Sequence, residues 1–298
     1  MNKFFLKVLQ KKPSGALFLS GNGSNAEKIL EHVHAAGEKS PWIPKLLVTD
    51  RPKTSRAKEI AQKYNIPLLE HPIASFYRAH GCEQVSLATE EGRRLRDLWT
   101  EELAEKLQQY EVDFGILAGF VPLTNIVAKL PCLNVHPGDL TYEKNGKRYL
   151  VGLHTVPMEL AILEGHSTLR SSVILVQPYT PGAKEMDGGH ILGISAPVGL
   201  DLKGHSVQEL QELFNSRKGP HRHGLHHDLL SELANYNQER LKYAGDHTVY
   251  PALIDDFTAG CFAEDENKNL LYRQNAKAPF QIVKTVEYHG EERIPIYK

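Results

Sequence analysis

Cysteine is scarce in this sequence, with only Cys82, Cys132 and Cys261 among 298 residues. An odd number of widely spaced thiols supports neither a disulfide framework nor a zinc knuckle, so we expect free thiols in a reducing, cytoplasmic compartment. Long apolar runs are missing too. The first twelve residues alternate basic and apolar side chains, and no run is long enough for a signal peptide or a membrane span. We therefore expect no membrane partner.

A net charge of one sign is also missing. The 35 Lys and Arg residues nearly balance the 36 Asp and Glu residues, giving a formal net charge of -1. Because nucleic-acid phosphates normally require a basic surface, we expect small-molecule substrates and no nucleic acid. The 41% hydrophobic and 24% charged residues are ordinary for a globular protein with a sizeable core.

Short apolar runs alternate with helical stretches from Gly15 onward, which predicts strand–helix–strand units. We expect an α/β fold with a mostly parallel central sheet flanked by helices. One domain over residues 15–298 is predicted to follow an N-terminal extension of residues 1–14. A polar, histidine-rich segment at about 199–230 reads as an insertion with limited core content, within an elaborated C-terminal third.

The apolar spacing also predicts individual elements. Residues 114–118 are the best candidate for a strand buried on both faces. Residues 171–179 and 190–197 are predicted to be antiparallel strands. Helices are predicted over residues 25–36, 55–64, 90–110, 123–129, 155–164, 229–243 and 248–260.

The first predicted strand runs directly into Ser20-Gly21-Asn22-Gly23-Ser24-Asn25, which opens a helix. Glycines permit a sharp turn and close approach of a ligand, and the amides of a helix start attract phosphate. A plain glycine-rich turn with a polar cap would have the same local sequence. Ligands in open parallel sheets bind beyond the carboxyl ends of strands, and this position favours an anion site.

Two polar side chains leave the end of another apolar strand. Asn134 and His136 alternate with Val135, so their side chains point to the same side. Asp187 precedes Gly188-Gly189 between the two predicted antiparallel strands. A capping Asn beside a hydrogen-bonded His, and an Asp in a plain turn, are the alternatives. Together an amide, an imidazole and a carboxylate suit chemistry that forms and collapses an oxyanion.

Five motifs follow one another along the chain. They are Ser20-Gly21-Asn22-Gly23-Ser24-Asn25, Leu117-Ala118-Gly119-Phe120, Asn134-Val135-His136-Pro137, Gly152-Leu153-His154-Thr155 and Met186-Asp187-Gly188-Gly189. In this order they resemble the motifs of the glycinamide ribonucleotide formyltransferases, and the resemblance continues through Asp246-His247-Thr248-Val249-Tyr250-Pro251 and the closing segment. It covers nearly the whole chain apart from the leader and the insertions.

This resemblance implies a Rossmann-like formyltransferase fold. It also implies that 10-formyltetrahydrofolate donates a formyl group to glycinamide ribonucleotide in purine synthesis. By position it implies that Asn134, His136 and Asp187 are catalytic, and that Gly23, Ser24 and Asn25 bind the acceptor phosphate. It further implies that Asp246 and Pro137 contact the acceptor, and that Arg96, Phe120, Leu123 and Thr124 contact the folate. Asn134 and His136 would stabilise the oxyanion, while Asp187 would hold His136 in its charged state and relay a proton.

Three segments depart from the family pattern. Val121-Pro122-Leu123-Thr124 replaces Met-Arg-Ile-Leu, and Leu169-Arg170-Ser171 replaces His-Gly-Thr. Gly138-Asp139-Leu140-Thr141 replaces Ser-Leu-Leu-Pro and precedes a longer loop with Lys144, Lys147 and Arg148. The alternatives are therefore a formyltransferase for another phosphorylated amine, such as an amino sugar or nucleotide, or a 10-formyltetrahydrofolate hydrolase.

Four histidines crowd the run from Pro220 to His227. Imidazoles at such spacing can bind zinc or nickel, but a polar surface insertion is the alternative that we favour. We expect no metal. The chain is expected to be a monomer or a homodimer.

Overall fold

A computed structural model describes residues 2–6, 11–153, 155–179, 188–218 and 226–298. The chain forms two compact units. Unit 1 comprises Met1–Asn134, Leu175–Gly189 and Ile254–Gln281. Unit 2 comprises Val135–Ile174, His190–Leu253 and Ile282–Lys298. The predicted domain boundaries remain predictions.

The described strands and helices are short and numerous. The strands are β1 Lys3–Phe4, β2 Ser14–Phe18, β3 Ile43–Thr49, β4 Leu68–Glu70, β5 Phe114–Leu117, β6 Cys132–His136, β7 Glu143–Lys144, β8 Lys147–Arg148, β9 Thr168–Leu169, β10 Ser172–Leu175, β11 Ile191–Ser195, β12 Val198–Gly199, β13 Phe262–Glu264, β14 Leu270–Tyr272, β15 Gln281–Ile282, β16 Thr285–His289 and β17 Glu292–Ile296. The helices are α1 Ser24–Ala36, α2 Ala57–Tyr64, α3 Ile73–Ala79, α4 Glu90–Gln108, α5 Val156–Leu163, α6 Val207–Ser216, α7 Leu229–Leu241 and α8 His247–Thr258.

Unit 1 contains the parallel sheet. Its strands run in the order β4-β3-β2-β5-β6, and each neighbouring pair is parallel. All five residues of β2 and all four of β5 are buried, as expected of strands covered on both faces. The α/β class with a mostly parallel central sheet is therefore confirmed.

Helix α4 shows how the sequence builds the core of unit 1. Leu95, Trp99, Leu103 and Leu107 recur every four residues, which places them on one face of the helix. All four are buried and pack with aromatic residues such as Phe18. The long predicted helix therefore forms, with its apolar stripe facing the core.

Unit 2 combines antiparallel and parallel pairings. Strands β10 and β11 are antiparallel, which confirms that prediction, whereas β11 and β16 are parallel and β16 and β17 antiparallel. Its core includes apolar residues of α5, such as Met158 and Ile162, and leucines of α6 and α7. Leu210 and Leu230 are fully buried, so the segment at 199–230 contributes more core than its polar composition indicates.

One predicted helix is wrong. Residues 123–129 form no α-helix, only a 3-10 turn at Asn125–Ala128. The oxygen of Thr124 accepts from the amide of Ile126 and starts this turn. Pro131 closes the segment three residues after the turn, and the residue before a proline disfavours helix. Among the described residues, no helix is long and apolar enough to cross a membrane.

Candidate functional site

The first loop, residues 20–23, joins β2 to α1 as predicted. Gly23 caps α1 with φ of 68°, in the left-handed region. A Cβ at this position would lie 2.6 Å from Cδ1 of Ile60 and 2.7 Å from Cδ1 of Leu19. The left-handed conformation therefore favours glycine, and a larger residue would also displace the ends of two buried side chains. The first-turn amides of α1, including those of Ser24 and Asn25, point towards the loop.

Two cations flank this loop. Lys63 Nζ lies 2.7 Å from Oε1 of Glu27, and Arg56 Nη1 lies 3.2 Å from Oε2 of the same residue. Hydrogen bonds from Lys63 and the charge of Arg56 hold the pKa of the Glu27 carboxyl below its ordinary value. Arg56 Nη1 also donates to the carbonyl of Asn22 at 3.4 Å. The carboxylate in the first turn of α1 is thus neutralised beside the loop.

Ser20 connects the first loop to the segment at 119–121. Its amide donates to the carbonyl of Gly119 at 3.1 Å, and its oxygen accepts from the amide of Val121 at 2.8 Å. The Ser20 hydroxyl donates to Oδ1 of Asp50 at 2.5 Å. The Asp50 side chain is fully buried, and burial raises the pKa of this carboxyl. The structure thus joins the predicted phosphate loop to the predicted folate residue Phe120.

Sequence reasoning missed Asp50, although its position gives a signal. It directly follows β3, a parallel strand, and so lies at the carboxyl edge where ligands bind. Phe120 directly precedes Val121, whose amide donates to Ser20. The ring of Phe120 lies parallel to that of Trp99, with centroids 6.3 Å apart. Phe120 is therefore held between the loop and the aromatic core.

Three predicted folate residues lie together elsewhere in unit 1. Arg96 is buried and donates from Nη1 to the carbonyl of Leu123 at 2.5 Å. Thr100 bonds both the Arg96 carbonyl, at 2.8 Å, and the Thr124 hydroxyl, at 3.0 Å. A cavity of about 50 Å³ is lined by Arg96, Leu123, Thr124, Leu87, Arg93, Asp97, Asn125 and Tyr179.

Arg93 is a second guanidinium at this cavity that sequence reasoning did not single out. It lies three residues before Arg96 in α4, which puts both side chains on neighbouring positions of the helix surface. That spacing was the signal that could have found it. Two guanidinium groups suit recognition of a carboxylate.

Asn134 and His136 lie at the end of β6, as predicted. Asn134 pairs with Leu117 of the parallel strand β5 in unit 1, and its side chain is half-buried. His136 belongs to unit 2 and is only 4% exposed. Because the two residues are separated by Val135 in an extended strand, their side chains leave the same face.

A backbone carbonyl holds the ring of His136 in unit 2. Nε2 of His136 lies 2.7 Å from the carbonyl oxygen of Leu150. The intervening Pro137 is half-buried, and the segment after it is anchored by Ser172. The Ser172 hydroxyl donates to the Gly138 carbonyl at 2.7 Å and accepts from the Leu140 amide at 3.0 Å.

Asp246 is the last residue of a π-helix, Lys242–Asp246, and is buried. Such π-helical turns are rare and are often found at functional sites. The Ser171 hydroxyl donates to Oδ1 of Asp246 at 2.5 Å, and the Ser171 amide donates to Oγ of Ser195 at 3.0 Å. The carboxylate of Asp246, which is predicted to contact the acceptor, is therefore bound by Ser171, a residue of a segment that departs from the family pattern.

Arg170 and Asp139, which also lie in segments that depart from the family pattern, approach each other. Arg170 Nε lies 3.8 Å from Oδ2 of Asp139, and Arg170 Nη1 lies 2.8 Å from Oε2 of Glu287. The pKa of the Glu287 carboxyl is lowered by Arg170 and His289, although burial opposes this shift. The Arg170 and Asp139 departures thus belong to one ion cluster in unit 2.

Four residues that the sequence singled out lie outside the described residues. They are Asp187, His154, His221 and His223. Within the described ranges, no group of three or more His, Cys, Asp or Glu side chains could hold a metal ion.

Comparison with known proteins gives one curated relative and many solved structures. No protein-family model matches the chain. Phosphoribosylglycinamide formyltransferase, chloroplastic, of Arabidopsis thaliana is 31% identical over 185 residues, which is 61% of this chain and 53% of that protein. The chain thus spans about half the length of the curated relative that it matches.

Two solved structures cover most of the chain. Glycinamide ribonucleotide transformylase 1 from Symbiobacterium toebii has a TM-score of 0.55 at 20% identity, over 87% of this chain and 95% of that chain. Phosphoribosylglycinamide formyltransferase from Anaplasma phagocytophilum has a TM-score of 0.56 at 18% identity, over 97% and 99%. The chain therefore has the formyltransferase fold. Its sequence is also similar to that of a phosphoribosylglycinamide formyltransferase, which supports the family resemblance of its motifs.

Proposed function

We propose that this protein is an enzyme that transfers the formyl group of 10-formyltetrahydrofolate to the amine of glycinamide ribonucleotide, a step of purine synthesis. The relationship to formyltransferases supports the reaction class. The observation that carries the proposal lies in the parallel sheet of unit 1. The helix start after β2 and the amide of Asn134 at the end of β6 lie at the same carboxyl edge, with only β5 between these strands.

The spacing along this edge suits a small phosphorylated amine. Neighbouring strands are about 4.8 Å apart, so two strand spacings separate the loop from Asn134 by about 10 Å. A phosphate at the amides of Gly23, Ser24 and Asn25 would leave the other end of the molecule within reach of Asn134. Arg56 and Lys63 offset the charges of Glu27 and Glu59 beside the loop, so these carboxylates do not repel an anionic group there.

The proposed chemistry begins when the acceptor amine attacks the formyl carbon. The carbonyl oxygen becomes an oxyanion, which the amide of Asn134 and the imidazole of His136 stabilise. The bond between the formyl carbon and N10 of the folate then breaks. Asp187 relays the proton from the attacking amine to the leaving nitrogen, and Pro137 and Asp246 contact the acceptor.

The donor site in this proposal has two parts. Phe120, held against Trp99, would pack on the folate rings, because flat apolar groups stack well. The Arg96 cavity, which also contains Leu123 and Thr124, would receive an acidic group of the folate tail. Arg93 is the second proposed contact for that group.

The direct test mixes the full chain with 10-formyltetrahydrofolate and glycinamide ribonucleotide and follows folate absorbance. Formyl transfer that depends on the ribonucleotide is expected. Formate release at an equal rate without any acceptor would identify a hydrolase instead. Turnover only with another phosphorylated amine would change the acceptor and keep the reaction class.

Asn134→Ala tests the catalytic assignment. Loss of one oxyanion donor is expected to lower kcat about 10²–10³-fold. The exposed Asn267, changed in the same way, is the control and should leave kcat unchanged. Normal turnover by a folded Asn134→Ala variant would remove Asn134 from the mechanism.

A further inference from the structure

The hydrogen bond on His136 determines which ring nitrogen carries a proton. Nε2 lies 2.7 Å from the carbonyl oxygen of Leu150, fourteen residues further along the chain. A carbonyl oxygen only accepts hydrogen bonds, so Nε2 must be the donor. The neutral ring is therefore the Nε2–H tautomer, because a partner at one nitrogen fixes the roles of both.

This contact depends on a residue that has no side chain. A Cβ at Gly138 would lie 2.7 Å from the Leu150 oxygen and 3.0 Å from Nε2 of His136. Gly138 is not among the residues with positive φ, so its backbone conformation is open to other residues. Space at the His136–Leu150 contact is what requires glycine here.

Neither side of the contact can move freely. The Gly138 amide donates to the His136 carbonyl at 2.9 Å, and the Gly138 carbonyl accepts from Ser172 at 2.7 Å. The Leu150 side chain is 2% exposed and belongs to the core of unit 2. The backbone before Leu150 is held as well, because the Tyr149 amide donates to the Tyr142 carbonyl at 3.1 Å.

We propose that Gly138 and the Leu150 carbonyl are positioning groups for His136, and that the reaction uses Nδ1 of this histidine. In the charged ring, Nε2–H stays on the Leu150 carbonyl, and Nδ1–H donates to the oxyanion. The segment at 138–150 is where the chain departs from the family motif. Its role is to bring the Leu150 carbonyl to the ring. This inference rests on the proposed function.

The tautomer can be measured without any substrate. The full chain labelled with ¹⁵N-histidine has 15 histidines, and His136→Gln assigns the signal of His136. Long-range ¹H–¹⁵N spectra of the neutral ring are expected to show protonated Nε2 and unprotonated Nδ1. A protonated Nδ1 in the neutral ring would overturn the proposal. Because no turnover is involved, this result is independent of whether glycinamide ribonucleotide is the acceptor.

Gly138→Ala tests the positioning role. The added Cβ should displace the ring, shift the ¹⁵N signal of Nε2 and lower kcat about 10²-fold, with little change in the KM of the acceptor. Gly199→Ala is the matched control in unit 2, because a Cβ there meets nothing within 4 Å and its φ is not positive. Equal kcat values for the two variants would contradict the proposal.

Two amide substitutions distinguish the ring nitrogens even if Gly138→Ala fails to fold. The side-chain amide nitrogen of His136→Asn lies close to the former Nδ1, whereas that of His136→Gln lies close to the former Nε2. If Nδ1 meets the reacting atoms, His136→Asn should retain more turnover than His136→Gln. The reverse order would assign the reaction to Nε2 and reject the proposal.

Discussion

Each unit buries one polar cluster of a different kind, a neutral imidazole in unit 1 and a charged network in unit 2. In unit 1, His71 is 3% exposed and lies parallel to the ring of Trp99, with centroids 5.0 Å apart. Its Nε2 lies 2.9 Å from the Trp99 carbonyl, and Nδ1 lies 3.0 Å from Nζ of Lys106. Burial, together with the charge of Lys106, lowers the pKa of His71 below its ordinary 6.5. Unit 1 therefore stabilises a neutral ring.

In unit 2, by contrast, one buried polar cluster is charged. The Arg217 side chain is 2% exposed and donates from Nη1 to Oε2 of Glu159 at 2.8 Å. Its Nε and Nη2 form a two-point contact with Asp228 at 2.8 and 2.7 Å, and Nη2 also reaches Ser231. Ser231 donates to the other oxygen of Glu159 at 3.0 Å, which completes the network.

The two clusters should therefore respond to different perturbations. A buried neutral base is disturbed by mild acid, because the unfolded state takes up a proton that the folded ring resists. A buried charge network tolerates mild acid but is sensitive to loss of one partner, which leaves the other charges uncompensated.

The largest effect is expected from Arg217→Ala. It leaves the fully buried Glu159 without its cation and should lower the free energy of unfolding by about 3–5 kcal/mol. Arg94→Ala is the control, since Arg94 is exposed and pairs with Glu91 on the surface, where ion pairs contribute little. Denaturant titration followed by circular dichroism measures both. Similar small losses for the two variants would mean that the network contributes no net stability.

Asp228→Asn should have a smaller effect and a distinct pH signature. The variant keeps the Arg217–Glu159 pair but loses charged hydrogen bonds, for an expected cost of about 1.5–3 kcal/mol near neutral pH. Hydrogen bonds from Arg217 hold the pKa of Asp228 at about 2, against an ordinary 3.8. Because the folded pKa is lowered, the wild type keeps this stability above pH 3.8 and loses it as the pH falls towards 2.

The same measurement at low pH completes that test. Wild-type and Asp228→Asn unfolding energies should converge between about pH 4 and pH 2, as the wild-type carboxyl becomes protonated. A constant difference over this range would show that the charge of Asp228 is not what stabilises unit 2.

Acidification around His71 is expected to lower the free energy of unfolding less than the loss of Asp228 does, and at a higher pH. Its folded pKa is lowered, so its contribution is present above pH 6.5 and declines as the pH falls through 6.5 to the folded value. The charged groups that face the ring are Lys106, which opposes protonation, and Glu102, which favours it. His71→Gln should remove this decline, measured as the unfolding energy at pH 7.5 and 5.5. His34→Gln, at an exposed position, is the control.

Much of unit 1 could be predicted from the sequence because its signals are local. Apolar runs marked the strands of the parallel sheet, and Leu95, Trp99 and Leu103 marked the buried face of α4. The first loop was predicted because Gly23 and the helix start are adjacent in sequence. These patterns report burial over a few residues, which is what periodicity measures.

The contacts that were missed join residues far apart in sequence. Glu159 and Arg217 are 58 residues apart, and the polar composition around Arg217 indicated a surface insertion. The Leu150 partner of His136 is a backbone carbonyl, which every residue has, so no side chain signals it. The helix expected at 123–129 is only a 3-10 turn, which Thr124 starts and which ends three residues before Pro131.

The smallest perturbation is chemical labelling of the cysteines, which reports how readily the core of unit 1 opens. Cys132 lies in β6 and is fully buried, and burial raises the pKa of its thiol from 9.0 to about 12. Three pKa units make its thiolate about 10³ times rarer at a given pH than for an ordinary thiol. A thiol reagent at pH 8 should therefore label the partly exposed Cys82 quickly, and Cys132 only when unit 1 opens. Mass spectrometry of digested protein locates the label. Rapid labelling of Cys132 in the native protein would show that the aromatic interior of unit 1 opens more readily than its burial indicates.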